Sequence, residues 1–255
     1  MKKFKERGSE AAKKELDQLH KRNCFSPVEV SSLTAQEKRK AQEALMFLTE
    51  KRVDQSCKGR MVYNGKPTRE WLSREDAASP TVALESIMLT AIVDAKEGLD
   101  VMTADVPNAF IQAEMPPVEK GEERVIMKIT GVLVDLIVEM ASEVYGPFVT
   151  MENGKKVLYV QVLRALYGML IAALLWYKRF KNDLEQQKII FNPYDACVAN
   201  KNVNGKQQTV RFHVDDLKSS HIDPKINDEF AKWLNKMYGE HGPVKIHRAK
   251  VNDNL

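Results

Sequence analysis

The feature that most constrains the fold is a β-hairpin predicted in the last quarter of the chain. Two runs of strand-forming residues, 197–199 and 209–214, flank the dipeptide Asn204-Gly205. Asn-Gly is a preferred centre for a tight hairpin turn, because both residues tolerate positive φ. The second run alternates in character, with Val210, Phe212 and Val214 on one face and Arg211, His213 and Asp215 on the other. The pattern therefore predicts antiparallel strands, the second of which ends in the consecutive carboxylates Asp215 and Asp216.

Other segments predict a mixture of helices and strands. Ser79-Pro80 indicates the start of an amphipathic helix that ends at Gly98 and packs on a sheet. Residues 99–106 alternate as a strand, which puts Asp105 at its end. Further helices are expected over residues 165–187, with a buried first half, and from Asp223-Pro224 to Gly239. This order has no regular strand-helix-strand alternation and no Gly-x-Gly-x-x-Gly, so a doubly wound parallel fold is disfavoured.

The first part of the chain carries weaker signals. Residues 1–22 are mostly charged and indicate a solvated helix or a frayed leader. Thr34 and Glu37 form a capping-box pattern, which predicts a second helix with Ala41, Ala44, Leu45 and Leu48 on one face. Asn64-Gly65 suggests another hairpin turn, and residues 116–160 suggest an irregular, partly β insertion.

Composition excludes several classes of protein. A chain of 255 residues with 44% hydrophobic residues can bury a large core. The longest uncharged stretch, residues 165–177, has 13 residues, whereas a transmembrane helix needs about 20, so no membrane partner is expected. The three cysteines are far apart, which argues against zinc and disulfide frameworks. No apolar run follows the basic start, so we expect an intracellular protein, cytoplasmic or nuclear. The net charge of +4 is compatible with nucleic acid without requiring it.

Consecutive aspartates at a strand end have two interpretations. Asp-Asp can be an ordinary turn, because aspartate forms local hydrogen bonds there. Alternatively, the two charges repel unless a cation lies between them, and Mg²⁺ prefers carboxylate oxygens. Asp105, at the end of another strand, is then the candidate for a third ligand beside Asp215 and Asp216.

Four motifs follow one another along the chain: Thr103-Ala104-Asp105-Val106-Pro107-Asn108-Ala109-Phe110, Ala165-Leu166-Tyr167-Gly168-Met169 followed by Trp176-Tyr177, Asn192-Pro193-Tyr194-Asp195-Ala196-Cys197, and Val214-Asp215-Asp216. In these motifs, and in their order, the chain resembles the reverse transcriptase domain of copia-type retrotransposons. Weaker similarities are Lys58-Gly59-Arg60-Met61-Val62 and Ser79-Pro80-Thr81-Val82, and the whole resemblance covers about 160 residues.

This resemblance implies an α+β fold: a right-hand polymerase with an antiparallel palm sheet backed by helices, and fingers inserted around it. The expected domains are a helical leader (1–40), a fingers-like region (41–98 and 112–160), a palm (99–111 and 161–247) and a truncated tail (248–255). The implied activity is RNA-directed DNA synthesis, which transfers nucleotides from dNTP to a primer on an RNA or DNA template.

The resemblance also implies roles for individual residues. Asp105, Asp215 and Asp216 match the carboxylates that hold two Mg²⁺ ions, with Mn²⁺ as a possible substitute. Phe110 matches the aromatic residue under the nucleotide sugar, and Arg60 matches a fingers residue that contacts the triphosphate. Core packing for Phe110 and a solvated position for Arg60 are the alternatives.

Three departures from the family pattern weaken the functional expectation. His213 replaces the commoner tyrosine, and residues 170–175 lack the usual basic and amide residues. Only residues 244–255 follow the final helix, so the thumb and RNase H segments of a longer polyprotein are expected to be missing. An inactive remnant that retains the palm fold and binds nucleic acid weakly is therefore an alternative. A metal-dependent phosphatase or nuclease on another fold would leave the other motifs unexplained.

Overall fold

The computed structural model describes residues 5–50, 52, 56–119 and 122–249. It divides into two compact units, each made of two chain segments: residues 1–77 with 113–172, and residues 78–112 with 173–255. Helices and a six-stranded sheet occur in both units, which confirms the mixed α+β class. Residues 1–4 of the expected leader and residues 250–255 of the expected tail lie outside the described residues.

The first unit is built on a mostly antiparallel sheet. Its elements are α1 (Lys5–Lys21), β1 (Phe25–Pro27), α2 (Ala35–Lys40), β2 (Gln42–Glu50), β3 (Cys57–Tyr63), α3 (Arg74–Ala77), β5 (Ile126–Thr130), α6 (Val132–Met140), α7 (Ser142–Tyr145), β6 (Thr150–Glu152) and β7 (Lys155–Val162). The strands follow the order β1-β7-β5-β2-β3, with β6 also paired to β7. Strands β2 and β5 pair in parallel, and the other pairs among these strands are antiparallel.

Helix α1 is part of this unit's core, which corrects the prediction of a solvated helix. Its side chains Ala12, Leu16 and Leu19 are buried. The helix backbone lies so close to β3 that a Cβ on Gly59 would fall 2.6 Å from the carbonyl oxygen of Ala11. The few apolar positions in this charged segment are therefore the ones that contact the sheet.

The segment after Thr34 begins as predicted and then diverges. The capping box is present, since the Thr34 hydroxyl accepts from the Glu37 amide and the Glu37 carboxylate accepts from the Thr34 amide. The helix ends at Lys40, however, and β2 follows, paired with β3 from Ala44 to Glu50. Ala44 and Leu48, four residues apart, share a face in a helix and also in a strand, and pairing with neighbouring strands decides between the two.

The hairpin predicted at Asn64-Gly65 is wrong. Strand β3 pairs with the preceding β2, and a short 3₁₀ helix (Pro67–Glu70) follows the dipeptide. The glycine serves a close backbone contact instead: a Cβ on Gly65 would fall 2.1 Å from the carbonyl oxygen of Gly168.

A buried ion pair in the first unit predicts acid-sensitive stability. Glu37 is 4% exposed and accepts two hydrogen bonds from the Arg124 guanidinium, at 2.7 and 2.9 Å. These bonds lower the pKa of Glu37 from 4.5 to about 2. The stabilisation amounts to about 3 kcal/mol above pH 4.5, and it is lost as pH falls from 4.5 towards 2. Urea unfolding of wild type and Glu37→Gln from pH 7 to pH 2 measures it: the difference between them should shrink over that window, and parallel profiles would contradict the assignment.

The elements of the second unit are α4 (Leu84–Glu97), β4 (Asp100–Asp105), α5 (Ala109–Gln112), α8 (Ala172–Gln186), β8 (Ile190–Phe191), β9 (Val198–Val203), β10 (Lys206–His213), β11 (Asp216–His221), α9 (Pro224–Tyr238) and β12 (Lys245–Ala249). Its strands form a fully antiparallel sheet of order β12-β4-β11-β10-β9-β8.

Elements with strong local signals form where the sequence predicts them. Strands β9 and β10 make the hairpin, with positive φ at Asn204 and Gly205. The Asp223 side chain caps α9 by accepting from the Lys225 amide. Helix α8, by contrast, begins at Ala172 rather than at residue 165, because Gly168 takes a φ of +88° in an irregular segment.

The two faces of this sheet differ. One face packs against α8 and α9 through a core that includes Met102, Phe180, Phe212, Leu217 and Leu234. Above the other face lies α4, whose buried Asp94 forms an ion pair with Lys218 of β11.

Helix α4 departs from its prediction in two ways. It begins at Leu84 rather than Pro80, since the preceding Ala83 amide donates to the Asp195 carboxylate, at 3.0 Å. Its apolar stripe is largely exposed: Leu84, Met88 and Ile92 are 67%, 60% and 63% exposed. The helix faces the sheet with Asp94 and Ile87 instead.

Candidate active site

Strand pairing brings four polar residues into one row across the sheet of the second unit. His213 is paired with Asp216, Asp216 with Asp105, and Asp105 with Lys245. The Val106 amide donates to the Asp215 carbonyl at 3.1 Å. This bond identifies Asp105 and Asp216 as a non-hydrogen-bonded pair, in which Cα atoms lie about 4.5 Å apart and side chains approach closely. We call His213, Asp216, Asp105 and Lys245 the acidic row.

Asp215 lies in the turn that precedes Asp216. Strand β10 ends at His213, Val214 and Asp215 form a two-residue turn, and β11 begins with Asp216. The expectation that one strand runs through to both aspartates is therefore wrong, because the chain reverses between them. The reversal places Asp216 opposite His213 and beside β4.

The turn is strained and is held by a buried tryptophan. Val214 has a φ of +57°, a conformation that is costly for a β-branched residue, by about 1 to 3 kcal/mol. Its carbonyl oxygen accepts a 2.7 Å hydrogen bond from the indole nitrogen of Trp176, which is 1% exposed. The core of the unit thereby fixes the turn that carries Asp215.

A second row lies behind the acidic row on the same sheet face. Arg211 is paired with Lys218, Lys218 with Thr103, and Thr103 with His247. Both rows line a cavity of about 500 Å³ that is bounded on the α4 side by Val82 and Ile87. The cavity thus joins carboxylates at one end to cationic side chains at the other.

The cations of the second row are partly neutralised by carboxylates from outside the sheet. Lys218 is paired with Asp94. Burial lowers the pKa of Arg211, while the charges of Asp94 and Asp195 act in the opposite direction. Burial would raise the pKa of Asp195, but hydrogen bonds from Ser86 and from the amides of Cys197 and Ala83 outweigh it and hold that pKa below its ordinary value.

Asp105 already has a cationic partner. Its Oδ2 atom lies 2.8 Å from Nζ of Lys245, on the neighbouring strand β12. The hydrogen bond to Asp105 raises the pKa of Lys245, and the charge of Asp215 acts in the same direction. Asp105 and Asp215 therefore both stabilise the charged form of the Lys245 ammonium group.

The carboxylates of the acidic row are ligands of the kind that a hard divalent cation prefers, and strand pairing brings them together. Their side chains, however, do not converge on a common point. Carboxylate oxygens are the ligands that Mg²⁺ prefers. Within residues 5–50, 52, 56–119 and 122–249, no three His, Cys, Asp or Glu side chains converge closely enough to hold a metal ion. Asp105 is turned towards Lys245 instead.

The other two predicted site residues belong to elements other than the strands of the acidic row. Phe110 is in α5 of the second unit, half-buried against the helix-side core. Arg60 is in β3 of the first unit, where its guanidinium lies 3.9 Å from the centre of the Tyr167 ring.

Sequence analysis missed Lys245, His247 and the Asp94–Lys218 ion pair. A signal for β12 was present, because residues 244–247 alternate between apolar Val244 and Ile246 and polar Lys245 and His247. For the ion pair, no comparable local pattern exists, since Asp94 and Lys218 meet only through the packing of α4 on the sheet.

The support of the turn can be tested with Trp176→Phe. This substitution removes the hydrogen bond to Val214 and some buried volume, so it should lower the free energy of unfolding by about 1 to 3 kcal/mol. Trp233→Phe is the control, because Trp233 is only half-buried and stacks on Phe230. Urea unfolding with amide exchange at Asp215 and Asp216 measures both effects; equal losses and unchanged exchange would contradict a role in holding the turn.

Comparison with solved structures gives distant structural likenesses, of which a telomerase is an example. The chain is similar to telomerase from Candida albicans, solved in complex with a TWJ fragment of telomeric RNA, with 10% sequence identity and a TM-score of 0.42. The match covers 92% of this chain and 46% of that chain, so this chain spans less than half of its length. No protein-family model and no curated protein sequence matches. None of the helices in the described part of the chain has the length and apolar character needed to cross a membrane.

Proposed function

We propose that this chain is the polymerase core of a copia-type reverse transcriptase, which transfers nucleotides from dNTP to a primer 3′-hydroxyl on an RNA or DNA template. In this proposal the sheet of the second unit is the palm, and the first unit contributes the fingers. The observation that carries it is the register of β4 and β11, which pairs Asp105 with Asp216 beside the turn that contains Asp215.

The register supports the proposal because it joins two motifs that are far apart in the sequence. Asp105 and Asp216 are separated by 110 intervening residues, yet they are direct neighbours across two strands. An isolated Asp-Asp turn would require no third carboxylate beside it. The coincidence of the motif order with this pairing favours a catalytic constellation over an ordinary turn.

The proposed roles follow from the chemistry of each residue. Asp105, Asp215 and Asp216 would hold two Mg²⁺ ions, or Mn²⁺ in their place. These ions would supply activation of the primer hydroxyl and stabilisation of charge on the triphosphate. The chain's own contribution is to fix the carboxylates on rigid strands and in a turn that Trp176 supports.

Phe110 and Arg60 are the proposed nucleotide-binding residues. Phe110 would lie against the sugar and exclude a 2′-hydroxyl, and the residue is only half-buried. Arg60 would contact the triphosphate, and its stacking on Tyr167 would hold the guanidinium in place. Template-primer and dNTP are the proposed partners.

The activity can be tested by primer extension on an RNA template, with the whole chain and Mg²⁺. Asp215→Asn and Asp216→Asn should each reduce extension at least 100-fold, since each removes a carboxylate charge from the proposed metal site. Asp135→Asn is the matched control, because Asp135 is an exposed carboxylate of the first unit, paired with Lys156.

The outcome also separates the proposal from its alternative. Primer extension that survives both Asp215→Asn and Asp216→Asn would contradict the metal-site assignment. No extension by the wild type, in a chain that still binds template-primer, would favour an inactive remnant that retains the fold.

Phe110→Ala tests the sugar contact. If the ring excludes a 2′-hydroxyl, the variant should incorporate ribonucleotides at an increased rate relative to deoxynucleotides, by about tenfold or more. Phe191→Ala is the control, because Phe191 is also half-buried against the helix-side core. The ratio of rNTP to dNTP incorporation measures the effect. Equal ratios in both variants, with loss of stability alone, would assign Phe110 to packing.

A further inference from the structure

Lys245 gives the acidic row a cation that belongs to the protein. Its Nζ atom lies 2.8 Å from Asp105 Oδ2, and strand pairing holds the two residues directly opposite each other. The side chain of Lys245 is 69% exposed and that of Asp105 is 38% exposed. The ion pair therefore lies at the open edge of the sheet, where ions from solvent can reach it.

The position of this lysine distinguishes it from an ordinary surface ion pair. Asp105 has Asp216 on one side and Lys245 on the other. Asp105, Asp215 and Asp216 carry three negative charges within one turn and one strand pair, and like charges at such distances repel. The Lys245 ammonium offsets part of that repulsion and contacts Oδ2 of Asp105, so it shares this carboxylate with any metal ion that Asp105 would hold.

We propose that Lys245 occupies the place of a divalent cation on Asp105, so that metal binding to the acidic row displaces its ammonium group. This inference rests on the proposed function, because it takes the acidic row to be a metal site. It assigns Lys245 a regulatory part at that site: the lysine balances the carboxylates when no metal is bound and lowers their affinity for one.

Electrostatics sets the size of the effect. The ion pair is exposed, and exposed ion pairs contribute little free energy, so the lysine adjusts metal affinity and does not block it. Removing one positive charge a few ångströms from a divalent ion should tighten binding by about three- to tenfold. Arginine at this position keeps the charge and should preserve the wild-type affinity.

Mn²⁺ binding by the whole chain, measured by electron paramagnetic resonance without nucleotide or nucleic acid, tests the proposal. Lys245→Ala and Lys245→Gln should bind Mn²⁺ three- to tenfold more tightly than the wild type, and Lys245→Arg should not. Lys156→Ala is the matched control, because Lys156 also forms an exposed ion pair with an aspartate, at 2.6 Å. It should leave Mn²⁺ affinity unchanged.

Asp105→Asn separates this inference from the proposed function. In that background, Lys245→Ala should no longer change Mn²⁺ affinity, because the shared carboxylate is gone. Equal affinities in wild type and both neutral Lys245 variants, with weaker binding in Asp105→Asn, would overturn the role of Lys245 and leave the metal site intact. Failure of wild type and Lys245 variants to bind Mn²⁺ at all would overturn the metal site itself.

Discussion

The register between β4 and β11 is the constraint on which the site depends. A shift of one residue would turn every side chain of a strand to the opposite face, and Asp105 would then face α8 and α9. The register is secured by the buried side chains on the helix side, where Ala104 is paired with Leu217 and Met102 with Ser219. Core packing on one face of the sheet therefore determines which carboxylates meet on the other.

The charges on the open face follow from this arrangement. The acidic row and the second row lie on the same face of the sheet, two residues apart along each strand, and Asp94 of α4 neutralises Lys218 in the second row. Carboxylates at the front of the cavity and cations behind them would suit a ligand that combines metal ions with phosphate groups. The same arrangement leaves Asp105 paired with Lys245, so part of the negative charge is balanced within the protein.

Elements were predictable from the sequence where the signal is local. The Asn204-Gly205 turn, the Asp223 cap and the strand that ends at Asp105 each depend on neighbouring residues, and each forms. The strand β2 and the late start of α8 depend on pairing and backbone contacts with distant segments, which periodicity does not register. The strand of Lys245 carried a local signal, but the pairing of Lys245 with Asp105 was missed for the same reason, because Asp105 lies 140 positions earlier in the chain.

The most direct test of the central claim, that Asp105, Asp215 and Asp216 together bind divalent metal, is the anomalous scattering of Mn²⁺ in crystals grown with that ion. The account predicts a Mn²⁺ peak about 2.0 to 2.3 Å from carboxylate oxygens of Asp105 and of the Asp215-Asp216 turn, with the Lys245 ammonium displaced from Asp105. A crystal saturated with Mn²⁺ that shows no peak at these carboxylates, and in which Lys245 still contacts Asp105, would contradict it.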